Sequence, residues 1–254
     1  MKHVFSDSGL RNLEAFCFSE CLFAFDYDGT LAKIVQTPSQ ALMSKTTEKL
    51  LRELSRISDV AIISGRSIRD IKRLLKIKPR RLIGNHGLEG LQKSHFSSDV
   101  AFKACQKWKK ILAKAMEKEV GISIENKRFS LAIHYRMSRQ KKEAKARILA
   151  SIKTLDPQPR LIMGKYVANL VPAGAPHKGF ALIELMNELK LSCAIYVGDD
   201  DTDEDVFALP ESHILTIRVG KKINSRARFF LKQQTEINRL IKHMQKLRTG
   251  ICET

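Results

Sequence analysis

Cysteine is sparse and scattered along the 254 residues: Cys17, Cys21, Cys105, Cys193 and Cys252, an odd number with no CxxC spacing. That excludes a disulfide framework and a cysteine zinc site, and it fits buried thiols in a reducing cytoplasm. No apolar run approaches the ~18–20 residues a membrane helix needs. The N-terminal MKHVFSDSGLRNLEAF is interrupted by polar and acidic residues too early for a secretory signal. The 13 glycines show no period, which removes fibrous folds, and 43% apolar content removes a disordered chain. A cytoplasmic protein of one large domain or two modest ones, with no membrane partner, is expected. Acids are also in short supply, with Lys+Arg 45 against Asp+Glu 27 and a formal charge of +18. Residues 221–248 concentrate the excess, carrying nine basic side chains and the single acid Glu236. Such a face attracts polyanions. No nucleic-acid motif accompanies it, so it reads as a solvated basic face, with nucleic-acid binding as the alternative from a different class.

What is present is an ordered alternation of apolar strands and amphipathic helices. CLFAFDYDGT (21–30), VAIISGR (60–66) and RLIGNHGLE (81–89) read as buried strands that end in polar loops. Helices are expected over 44–56, with Ser44 as N-cap, and over 67–76. The pattern then changes. A helix over 98–119 precedes two alternating strands at 121–126 and 128–136; a helix over 138–154 precedes two more at 159–164 and 166–172. Afterwards the first pattern resumes: helix 178–190, strand CAIYVGDDD (193–201), a short helix at 202–209, strand 214–220 and a helical tail over 225–247. The predicted fold class is α/β, a doubly wound, Rossmann-like parallel sheet in residues 1–92 and 175–254. Into it is inserted an α+β cap at 93–174, helix–strand–strand twice. Gly90 in segment 90–97, and Pro172, Gly174 and Pro176 in 172–176, mark the expected hinges.

Ligands bind at the carboxyl ends of the strands in such sheets. Those ends carry Asp26 and Asp28, Ser64, Asn85 and His86, and Asp199, Asp200 and Asp203. Five carboxylates at one edge would repel one another without a divalent cation, and an all-oxygen set favours Mg²⁺ over zinc. A metal there suggests a phosphate substrate. At i and i+2 of a strand end, Asp26 can attack phosphorus while Asp28 protonates the leaving oxygen and later activates water. Gly29 lets the backbone turn so that its amides face phosphoryl oxygens.

Asp26-Tyr27-Asp28-Gly29-Thr30 resembles the first motif of the haloacid dehalogenase superfamily of aspartyl-phosphate phosphotransferases, and three further motifs follow in order. Ser64 matches its phosphoryl-binding hydroxyl and Lys178, in APHKG, its lysine. Asp199, in VGDDDTDED, matches the acid that completes a Mg²⁺ site with Asp26 and the carbonyl of Asp28, with Asp200 and Asp203 as further acids of that motif. Across about residues 20–245 the finer resemblance is to the trehalose-6-phosphate phosphatases, through IISGR, GNHGLE, ENKRFSLAIHYR, VPAGAPHKG and GDDDTDED. It implies hydrolysis of trehalose 6-phosphate with Mg²⁺, and a cap lying over the acids and excluding water. It further implies substrate contacts from Gly29, Gly65, Arg66, Asn85, His86 and Glu89 in the core. In the cap they would come from Glu125, Lys127, Ser130, His134 and Arg136, with Ser130, Ala132, His134 and Arg136 on one strand face. Before Val171-Pro172, where the family typically carries a glutamate, this chain has Asn169. Phosphatases of glucosylglycerol phosphate and mannosylglycerate phosphate share the motifs and remain the alternative substrates. The implied partners are a small phosphorylated sugar and a trehalose-phosphate synthase, and a monomer is expected.

Overall fold

The computed structural model describes residues 1–35, 37–92, 96–164 and 166–250. In chain order the first elements are β1 (Lys2–His3), α1 (Asp7–Cys17), β2 (Cys21–Phe25), α2 (Lys45–Ile57), β3 (Asp59–Ile63), α3 (Ile68–Leu74) and β4 (Arg81–Ile83). An α+β segment follows: α4 (Ser98–Ala115), β5 (Ser123–Asn126), β6 (Leu131–His134), α5 (Lys141–Lys153), β7 (Pro159–Gly164) and β8 (Val167–Pro172). The chain then returns through α6 (Lys178–Leu189), β9 (Cys193–Gly198), α7 (Glu204–Phe207), β10 (Ile214–Val219), β11 (Phe229–Leu231) and α8 (Ile237–Thr249). Two compact units result, residues 1–93 with 177–254, and residues 94–176.

Among the described residues the first unit holds a seven-stranded sheet, ordered β1-β11-β10-β9-β2-β3-β4 and parallel throughout. Alternation along each strand divides its side chains between two apolar layers. Phe23, Phe25, Val60, Ile62, Ile195 and Val197 pack with α1, α2 and α8. Leu22, Ala24, Ala61, Ile63, Ala194 and Tyr196 pack with α6 and α7. Both faces are therefore covered, which is why these strands read as unbroken apolar runs. Ser44 caps α2, its hydroxyl accepting from the Thr47 N–H at 3.0 Å, and Ser67 caps α3 through the Asp70 N–H at 3.2 Å.

One expectation fails in this unit. The tail is not one helix: Phe229–Leu231 form the edge-side strand β11, and the helix begins only at Ile237. The Phe-Phe-Leu run has strand propensity and finds backbone partners on β10 and β1. The N-terminal stretch, given no structure from its sequence, supplies β1 and α1. The basic segment is accordingly divided among a loop, a strand and a helix. Lys222 pairs with Asp201, and Arg248 donates to the carbonyls of Cys17 and Ser19 at 2.8 and 3.0 Å.

The second unit is a four-stranded antiparallel sheet, β5-β6-β8-β7, with α4 and α5 on one face. Leu131, Ile133, Ala168 and Leu170 point to Trp108, Leu112, Ala144 and Ile148 of those helices. Trp108 satisfies its indole N–H on the Pro157 carbonyl at 2.8 Å. The register row Glu125, Ala132, Asn169, Ile162 and the row containing His134 belong to the opposite face. Strand β6 is shorter than expected. Ser130 and Arg136 fall outside it, because Arg128 adopts φ 75° in the preceding turn and the chain turns again after Tyr135. Of the expected hinge segment 90–97, residues 93–95 lie outside the described residues. Cys17, Cys21, Cys105 and Cys193 are free and buried; Cys252 lies outside the described residues. No helix among the described residues is long and apolar enough to cross a membrane.

Candidate active site

Asp26 follows β2 directly and keeps the ladder going, its N–H donating to Val197 O at 2.8 Å. The residue is buried, 4% exposed. Lys178, the first residue of α6, reaches Asp26 Oδ1 at 3.0 Å and Asp203 Oδ1 at 2.8 Å with its ammonium group fully inside the protein. A lysine at a helix N-terminus works against the helix dipole; here two buried carboxylates compensate it. Burial alone would lower the Lys178 pKa, but Asp203 and Asp26 prevail and push it well above its usual value. Burial raises Asp26 well above the carboxylate range in spite of Lys178, with Asp203 and Asp199 adding to the rise.

Asp203 is wholly buried and accepts four hydrogen bonds. Oδ1 takes Lys178 Nζ at 2.8 Å and the Tyr196 hydroxyl at 2.6 Å; Oδ2 takes the N–H groups of Asp199 and Asp200 at 2.7 and 2.9 Å. That uses the acceptor capacity of a carboxylate. Asp203, expected among the metal ligands, also organises Lys178 and the 199–200 backbone. Carboxylate oxygens of Asp26, Asp199 and Asp203 lie within 4.8 Å of one another. Asp200 is not in that set; its Oδ1 accepts from the Thr202 N–H and hydroxyl at 2.8 and 2.6 Å. Asp199 is raised to about 7, by burial first and then by Asp203 and Asp200. An oxygen-only cluster whose acids all resist ionisation is the donor set a hard divalent cation fits.

Gly29 does its work through the side chain it lacks. With φ 81°, a Cβ there would sit 2.0 Å from Asp199 Oδ2. Its N–H, expected to face a phosphoryl oxygen, donates instead to Ala32 O at 2.7 Å, closing the turn after β2. Thr30 Oγ1 donates to Asp199 Oδ1 at 3.2 Å. A cleft of about 400 Å³ opens beside Asp199, with Lys33 and Gln233 on its walls.

Asp28 is held by a two-pronged bond from Arg66, Nε to Oδ2 and Nη2 to Oδ1, each 2.6 Å. Ser64, 1% exposed at the end of β3, accepts the Arg66 N–H on its hydroxyl at 3.2 Å. Gly65 admits the His86 ring, which would lie 2.4 Å from a Cβ at that position. Glu89 faces inward: Oε2 accepts the Ile68 N–H at 2.6 Å, at the start of α3, and Oε1 accepts from Asn85 Nδ2 at 2.9 Å. Its carboxylate thereby ties the loop after β4 to α3. In the second unit, Glu125 and His134 pair at 2.8 Å on the half-exposed sheet face. Asn169 lies in the Glu125 register row, two strands from it across Ala132, and donates to Ile162 O at 3.5 Å. Lys127 and Ser130 lie in the β5–β6 turn, where the Lys127 N–H donates to Ser130 O at 3.0 Å.

Sequence reasoning passed over Tyr196 and Arg218. Arg218, 6% exposed in β10, donates to the carbonyls of Asp199 and Asp200. An arginine inside the apolar run ILTIRVG is the signal that could have found it.

A parallel core with an acid cluster at the strand ends, and an antiparallel-sheet insertion, define a haloacid dehalogenase fold. The crystal structure of a trehalose-6-phosphate phosphatase related protein superposes with a TM-score of 0.76 and 25% identity, covering 90% of this chain and 99% of that one. The trehalose-phosphatase family matches residues 24–235, and the chain belongs to that family. Among curated relatives, "Probable trehalose-phosphate phosphatase D" of Arabidopsis thaliana is 28% identical over 86% of this chain and 65% of its own length. The trehalose-phosphate phosphatase of Mycobacterium tuberculosis is 30% identical over 77% of this chain and 52% of its own. The chain thus spans between half and two thirds of the length of these two relatives.

Proposed function

We propose that this chain is a phosphoric monoester hydrolase that releases phosphate from trehalose 6-phosphate. The observation that carries the reading is the buried Asp26–Lys178–Asp203 array beside Asp199 in a chain of the trehalose-phosphatase family. Asp26 attacks phosphorus in line and becomes an aspartyl phosphate, while Asp28 gives a proton to the departing sugar oxygen. Asp28 then takes a proton from water, which attacks phosphorus and frees Asp26. Both Asp28 oxygens accept from Arg66 at rest, so Arg66 must release one of them before the proton can move. Ser64 and Lys178 hold the phosphoryl oxygens, and the amino end of α6 adds positive potential to them. Asp26, Asp199 and the Asp28 carbonyl would hold Mg²⁺, which when bound offsets the charge of the phosphoryl group.

The inserted unit reads the sugar through Glu125, Lys127, Ser130, His134, Arg136 and Asn169. Asn169, neutral where the family typically carries a glutamate, favours a second reading in which the sugar differs: glucosylglycerol phosphate or mannosylglycerate phosphate. The test is phosphate release from trehalose 6-phosphate, glucosylglycerol phosphate, mannosylglycerate phosphate and glucose 6-phosphate, with and without Mg²⁺. Fastest release from trehalose 6-phosphate, dependent on Mg²⁺, is expected. A preference for either glycosyl phosphate would move the substrate, and activity unaffected by chelation would remove the metal.

A further inference from the structure

We propose that Arg218 is a positioning residue that fixes the Asp199–Asp200 peptide, and through it the direction of the Asp199 carboxylate. A buried arginine in a central strand carries a large desolvation cost, so its partners must account for it. Arg218 stands in β10 directly opposite Gly198 of β9, one residue before Asp199. Its Nη2 donates to Asp199 O, and its Nη1 donates to Asp200 O and to Glu204 Oε1, both at 2.9 Å. Glu204 is in turn anchored by the Arg226 N–H on Oε2 at 2.9 Å. The guanidinium therefore acts on backbone carbonyls and is itself held from the far side.

The peptide joining Asp199 to Asp200 is planar. Its carbonyl accepts from Arg218, and its N–H donates to Asp203 Oδ2 at 2.9 Å. It cannot rotate without losing one charge-assisted bond. The preceding peptide is held at its N–H end, where Asp199 donates to Asp203 Oδ2 at 2.7 Å. Backbone rotation on both sides of the Asp199 Cα is thus restrained, which leaves mainly the side-chain torsions, with Thr30 on Oδ1 at 3.2 Å. The arrangement forms a chain of contacts: Arg218, the 199–200 peptide, Asp203, Lys178, Asp26. Lysine cannot replace it, because a single ammonium is a point donor and lacks the planar fork that spans two carbonyls and a carboxylate.

This inference rests on Asp199 being a metal ligand, as proposed above. Its test is a Mn²⁺ titration of the full chain at fixed pH, following free Mn²⁺ by electron paramagnetic resonance. Wild type is compared with Arg218→Lys, Arg218→Gln, Glu204→Gln and Asp199→Asn, with circular dichroism as the measure of folding. Residues that orient a metal ligand typically change affinity by roughly ten- to a hundredfold, and a loss of that size is expected in both Arg218 variants, with a smaller loss in Glu204→Gln. Wild-type affinity in Arg218→Lys would make the charge, not the fork, the active feature and overturn the proposal. So would wild-type affinity in Arg218→Gln alongside loss in Asp199→Asn. If both Arg218 variants fail to fold, Glu204→Gln decides: weakened Mn²⁺ binding supports the proposal and unchanged binding overturns it. Unchanged affinity in Asp199→Asn is a different failure, since it removes the metal site and leaves Arg218 nothing to position.

Discussion

The Lys178–Asp26–Asp203 array of the core unit and the Glu125–His134 pair of the inserted unit live in different solvents. Side chains of Lys178, Asp26 and Asp203 are 2%, 6% and 0% exposed, while Glu125 and His134 are 40% and 33% exposed. In the core, low dielectric makes each charge depend on its neighbours, so removing one disturbs the rest. Water screens the Glu125–His134 pair of the inserted unit, and a substitution of Glu125 is close to neutral for folding. Fixed chemistry belongs in the first environment.

The largest effect should come from Asp26→Asn, which removes the proposed nucleophile without changing shape. Phosphate release should fall by roughly 10⁴-fold or more while circular dichroism is unchanged; substantial residual turnover would sink the covalent mechanism. Next is Lys178→Met, which leaves Asp26 and Asp203 buried without their cation. Loss of about 3–5 kcal/mol is expected, against less than about 1 kcal/mol for Glu125→Gln. Denaturant unfolding of both variants sharpens the comparison, and equal losses would break it.

A smaller change is expected from His134→Ala. If the inserted unit reads the sugar, kcat/KM for the sugar phosphate drops about ten- to a hundredfold, or ~1.5–3 kcal/mol. Hydrolysis of p-nitrophenyl phosphate, which has no sugar, stays near wild type. Matching losses on both substrates would place His134 with the chemistry or the fold instead. A further effect is on pH dependence. Burial, then Asp203 and Asp200, raise Asp199 from 3.8 to about 7, so between those values the folded chain holds a proton that the unfolded chain has released. In chelator, this group's contribution is fully present below the unfolded value of 3.8 and is lost as pH climbs to about 7. Tm measured in chelator should therefore fall across that window. Asp199→Asn should flatten it, and an equally steep fall in that variant would assign the effect to another group.

The strand-end acids were readable because they depend on local pattern: an apolar run, a glycine, and carboxylates at i and i+2. Lys178 could be read from the resemblance of APHKG to a superfamily motif. The hydrogen-bond saturation of Asp203 could not, since Lys178 arrives from another element and joins donors from residues 196, 199 and 200 only when the sheet is formed. Nor could the turn of Glu89 towards Ile68 or the grip of Arg66 on Asp28, because each joins loops that only sheet formation brings together.

By itself the sequence determined the alternating core, the inserted helix–strand–strand duplicate and the order of the motif residues, because periodicity and turn chemistry act over a few neighbouring residues. Tertiary structure alone decided that Phe229–Leu231 would be a strand, since a three-residue segment has no stable conformation until β10 and β1 offer it backbone partners. It likewise decided that Asp203 would take donors from Lys178 and Tyr196 while Asp200 would accept from Thr202. That choice turns on where Lys178, Tyr196 and Arg218 stand when the sheet closes around them, and hydrogen-bond geometry among distant residues has no signature in local pattern.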